Sequence, residues 1–215
     1  MPKSSKAPKS VSIRTYNVGF GDCFLLSFKY AGNVERHVLV DFGSTGLPEG
    51  VPKTRMIDIA NDIKARTNGK LHAVVATHRH KDHISGFETK QGGKGTGDVI
   101  RSLKPNVVLQ PWTEDPDLAP KATGPKSKSK KITQKLRQLG PDSPRQIAAL
   151  NSMHSIASQM LTARNLPKAL KGELSFLGET NLANLSAVKN LMTMAKNRYV
   201  FCGAKSGTAS SMRSF

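Results

Sequence analysis

The chain has 215 residues, enough for one ordinary domain with a real core, and its hydrophobic content is a modest 37%. Lys and Arg number 33 against 15 Asp and Glu, giving a formal net charge of +18 and a pI of about 10.2. That balance suits nucleic acid or another polyanion, and it equally describes a solvated basic surface. The first ten residues are polar and basic with no apolar region after them. They fit neither a secretory signal nor a membrane span, so the expectation is a cytoplasmic protein with a disordered basic N-terminus over residues 1–10. The two cysteines, Cys23 and Cys202, each sit in an apolar run that reads as a strand and look like small buried hydrophobes rather than a disulfide framework.

In chain order, Val11 to Val18 and Cys23 to Tyr30 predict two strands of a hairpin joined at Gly19-Phe20-Gly21-Asp22. A turn at Ala31-Gly32-Asn33 leads into a short apolar strand, His37 to Asp41, that ends on a carboxylate. Met56, Ile59, Ala60 and Ile63 fall at the i, i+3, i+4, i+7 spacing of one helix face, and Asn68-Gly69 supplies a stop. Leu71 to Ala76 then predicts a strand, Val99 to Leu103 a short helix and Asn106 to Trp112 another strand, so the class is mixed α/β. Pro120 to Lys131 is rich in Pro, Ser and Lys and reads as an exposed insertion. Between Leu118 and Gly172 the only acid is Asp142, so positive charge is concentrated there.

Three of the six histidines fall directly after the strand ending at Ala76, in the run Thr77-His78-Arg79-His80-Lys81-Asp82-His83. Residues two apart in an extended loop point the same way, so His78 and His80 can offer nitrogens to one metal while Asp82 and His83 serve a neighbouring one. Imidazole with carboxylate suits zinc, and also iron or manganese, in one or two ions. His37 and His72 sit at strand starts, where a structural or solvated imidazole is the expectation. His154 lies on a helical pattern from Ile147 to Met160 and is at best a fallback ligand.

At Thr77 to His83, with Gly86 downstream, the sequence resembles the metallo-β-lactamase superfamily, whose pattern is Thr-His-x-His-x-Asp-His followed by Gly. The resemblance implies an αββα sandwich over residues 11–215, with metal ligands at His78, His80, Asp82 and His83 and with Asp41 supporting the histidine loop from behind. It further implies hydrolysis by a metal-activated hydroxide, with Asp82 orienting the water. Asn17-Val18-Gly19-Phe20-Gly21-Asp22 is most similar to the opening of the hydrolase domains of DNA-uptake competence proteins. Asp22 itself reads as a turn residue.

The same comparison predicts a second hairpin. Asn184-Leu185-Ser186-Ala187-Val188 resembles that family's Asn-x-Ser-Ser-Val strand, and Tyr199 to Gly203 resembles the next strand, which there closes with Gly-Asp. Position 204 is alanine, which would remove the carboxylate that bridges two metals, and no histidine follows it. A helix through Leu185, Val188, Leu191, Met192 and Ala195 is the competing reading and would void that register. The hairpin is preferred for its spacing, and with it the expectation that only the first half of the sandwich and part of the second are present. Three functions stay open: a metal-dependent hydrolase of phosphodiester or related ester bonds, an inactive metal-binding fragment, and a nucleic-acid-binding module using the basic segment from Lys121 to Arg164.

Overall fold

The computed structural model describes residues 7–115 and 184–200. The basic insertion, the helical pattern around His154, Cys202 and Ala204 lie outside the described residues. Six strands form one sheet in the order β1 (Ser10–Thr15), β2 (Cys23–Lys29), β3 (Glu35–Phe42), β4 (Ala73–Val75), β5 (Val107–Pro111) and β6 (Lys196–Val200). The first three run antiparallel, and β3 to β6 run parallel. The predicted first hairpin is present, with Ile13 opposite Leu26. Its first strand begins at Ser10, and the Lys9 amide already donates to the Lys29 carbonyl at 2.6 Å.

Parallel neighbours need crossovers, and helices supply them. Helix α1 (Arg55–Arg66) follows β3, α2 (Lys81–Ile84) and α3 (Thr96–Ser102) follow β4, and α4 (Leu185–Thr193) precedes β6. The strands advance in one direction across the sheet, so right-handed crossovers place these helices on one face. That face holds the core: Leu25, Leu39, Val74 and Val108 are at most 2% exposed and cluster with Ile59 and Ile63 of α1, Ile100 of α3 and Leu191 of α4. The protein is therefore of mixed α/β class, with helices layered on a mixed sheet. None of the described helices is long and apolar enough to cross a membrane.

The cross-strand register identifies what the other face carries. Val11 and Ile13 share it with Phe24, Leu26 and Phe28, then with Val38 and Val40, Val75, Val107 and Leu109. Ile13 is 66% exposed and Val11 48%. The face is thus apolar across five strands, although none of the described helices lies on it.

The predicted second hairpin is corrected. Leu185 to Thr193 is helix α4, and the strand among the described residues after it is Lys196–Val200. Ala187, Val188, Leu191 and Met192 are buried together, a stripe that a two-residue alternation cannot produce. The buried Asn190 side chain adds two donations, to the Phe87 carbonyl at 2.9 Å and the Gly97 carbonyl at 3.1 Å. The register that placed Ala204 where that family carries a bridging carboxylate loses its anchor with that strand.

Candidate metal centre

The histidine loop leaves β4 at its carboxyl end, at Ala76, and runs through Thr77 to His80 into α2. Its position depends on Asp41. Cys23 pairs with Phe42 and Phe24 pairs with Val40, so Asp41 is the extra residue of a β-bulge. Its φ is 51°, in the left-handed region that aspartate enters more readily than most residues. The bulge lets consecutive residues both face inward: Phe42 enters the core at 0% exposed, and the Asp41 carboxylate, with Asp41 2% exposed, reaches the loop. There Oδ1 accepts from the Thr77 amide at 2.7 Å, while Oδ2 accepts from the Thr77 hydroxyl at 2.6 Å and pairs with His83 Nδ1 at 2.9 Å.

Glycines allow the loop to lie this close to the sheet. A Cβ on Gly43 would come within 2.6 Å of the Asp82 and His83 backbone, and one on Gly21 within 2.6 Å of the Asp82 carbonyl. The Asp22 amide donates to the Asp82 carbonyl at 3.0 Å, and the Gly43 amide to the Asp22 carbonyl at 3.1 Å. On the far side Arg79 turns away from the cluster. Its guanidinium pairs with Glu114 at 3.2 Å and donates to Gln110 Oε1 at 3.0 Å, which ties the loop to the end of β5.

Two overlapping donor groups result. One ligand atom each from His78, Asp82 and His83 lie within 4.8 Å of one another, and so do those of Asp22, Asp41 and His83. His83 Nε2 lies 3.2 Å from Asp82 Oδ2. The His78 ring sits 3.7 Å, centroid to centroid, from that of His83 and 4.5 Å from that of His80. Burial first, then the like charges of His83 and His80, hold the His78 imidazole below the usual histidine range, so its neutral, ligating form is favoured. The donor chemistry fits a divalent transition metal: three nitrogen and oxygen donors on half-buried side chains of one loop.

The grouping differs from the pairing expected along the loop. His78 joins Asp82 and His83, while His80 stands in ring contact with His78 outside the tight triad. Asp22, read from sequence as a turn residue, brings its carboxylate to 3.6 Å from His83 Nδ1. Its sequence signal is the Gly-Phe-Gly before it, whose second glycine, Gly21, lets the backbone lie against the histidine loop. Compared with known proteins, the chain matches no family model and no curated sequence.

Proposed function

We propose that this chain is a metal-dependent hydrolase of the metallo-β-lactamase type, acting on phosphodiester or related ester bonds. The observation that carries the reading is the triad of His78, Asp82 and His83 with ligand atoms within 4.8 Å, set at a strand's carboxyl end. Three protein ligands with an open position is the pattern of catalytic rather than structural zinc sites. Zinc is the first choice of metal, with iron or manganese as alternatives. A bound ion would make a coordinated water more acidic and offset negative charge on the attacked oxygen.

The chain's own residues have separable tasks in this reading. His78 and His83 would hold the ion, Asp82 would ligate it and orient a water, and Asp41 holds the His83 ring through Nδ1, leaving Nε2 free to face the ion. The apolar second face of the sheet supports the fold part of the proposal, because an αββα sandwich buries such a face under a second sheet. A phosphodiester is favoured over other esters by the net charge of +18, which attracts polyanions.

The test is hydrolysis of bis(p-nitrophenyl) phosphate by the purified chain with zinc or manganese. Metal-dependent turnover that falls at least about 100-fold in Asp82→Ala is expected. Stoichiometric metal without turnover would leave the second reading, a metal-binding fragment without chemistry, in its place.

A further inference from the structure

At the same end of the sheet as the histidine loop, Gln110 is 1% exposed, and a carboxamide so buried needs partners for both its oxygen and its nitrogen. Oε1 accepts from Arg79 Nε at 3.0 Å. Nε2 donates to Asn197 Oδ1 of β6 at 2.5 Å, 87 positions further along the chain. Asn197 Nδ2 in turn donates to the carbonyls of Met192 at 2.8 Å and of Leu191 and Ala195 at 3.2 Å each. These lie at the carboxyl end of α4, where helical carbonyls have no partner of their own.

The bonds run in one direction only. A guanidinium donates and cannot accept, and a backbone carbonyl accepts and cannot donate, so both carboxamides between them are fixed in orientation. Turning either one over would set donor against donor and acceptor against acceptor. At the loop end, Arg79 stands between His78 and His80. Glu114 holds the same guanidinium by an ion pair at 3.2 Å and by its backbone carbonyl at 3.0 Å. The backbone that carries the two histidines is thereby anchored on the side away from the donor cluster.

We propose that Gln110 is a positioning residue of the metal centre, joining Arg79 to Asn197 so that zinc uptake at the histidine loop and the seating of α4 and β6 depend on each other. The inference rests on the metal-centre reading above and adds its regulation: whatever loosens α4 and β6 weakens metal binding. The coupling is reciprocal, because the factor by which undocking α4 and β6 weakens zinc is the factor by which zinc holds them docked.

The experiment reads zinc affinity, by competition with a chromophoric chelator, and amide hydrogen exchange with and without stoichiometric zinc. Arg79→Met and Asn197→Ala, each checked for a cooperative urea transition, are expected to weaken zinc about tenfold, as groups that orient a ligand from behind do. The double variant should bind no more weakly than Arg79→Met alone, because two breaks in one chain cut the same connection, whereas independent losses would multiply to about 100-fold. In the unsubstituted protein zinc should slow exchange over residues 185–200 by about tenfold, with little change in β1 at the opposite edge of the sheet. Wild-type affinity in Asn197→Ala, multiplied losses in the double variant, or equal slowing of β1 and residues 185–200 overturns the proposal. The exchange measurement needs no substitution, so it decides even where a variant fails to fold. A chain that takes up no zinc refutes the metal centre and this inference together, whereas zinc uptake with residues 185–200 unaffected refutes the inference alone.

Discussion

Histidines lie beyond or at both ends of the β3–β4 pair, and the two ends have different chemistry. At the amino ends, His37 is 4% exposed, with Nδ1 bonded to Ser27 Oγ at 2.8 Å and Nε2 at 3.7 Å from Glu35. His72 Nδ1 accepts the His37 amide at 3.1 Å. These imidazoles cap backbone and hydroxyl groups at the sheet's rim. At the carboxyl ends, His78 and His83 meet three carboxylates, Asp22, Asp41 and Asp82. At the amino ends the one carboxylate near an imidazole is Glu35, whereas at the carboxyl ends several join the imidazoles in donor groups that could hold a metal ion.

Metal uptake gives the sharpest contrast. His78→Ala with His83→Ala should reduce bound zinc from about one equivalent to almost none, whereas His37→Ala with His72→Ala should leave it intact. Elemental analysis after dialysis decides, and retention of zinc by the first variant would break the comparison outright.

Asp41→Asn comes next. It keeps the shape of a side chain that meets Thr77 and His83 but removes the charge that favours the Nδ1-protonated ring. Zinc affinity should fall about 10- to 100-fold, as for other groups that orient a ligand from behind. Asp41→Ala, which also strands the Thr77 donors, should cost about 3 kcal/mol in urea unfolding as well. An Asp41→Asn protein with wild-type zinc affinity would mean the bulge positions the loop without tuning it.

The smallest effect belongs to the amino-end pair and is read through pH. Burial lowers the pKa of both His37 and His72, against a smaller opposing pull from Glu35 on His37. As pH falls through about 6.5 the unfolded chain takes up protons that the folded chain resists. Stability is therefore full above that value and declines below it, levelling off once pH passes the lower folded-state values. The urea midpoint should drop between pH 7 and pH 5, and His37→Gln should flatten the drop. An identical pH dependence in the variant would show that the rim imidazoles carry no linkage.

Local patterns in the sequence were enough for much of the framework. The aromatic and leucine-rich run from Cys23 to Tyr30, the helical spacing from Met56 to Ile63 and the Asn68-Gly69 stop lead to β2, α1 and its end, where Asn68 and Gly69 have positive φ. The density of histidines after a strand marked the loop for the same reason: these signals lie within a few consecutive residues. At Leu185 to Thr193 two local patterns competed, and burial against α3 and the Phe87 turn decided for the helix. Only the tertiary structure decided which donors meet. Asp22, Asp41 and His83 come from three separate segments, and a one-residue bulge that aims Asp41 at the loop changes strand pairing without leaving a sequence pattern.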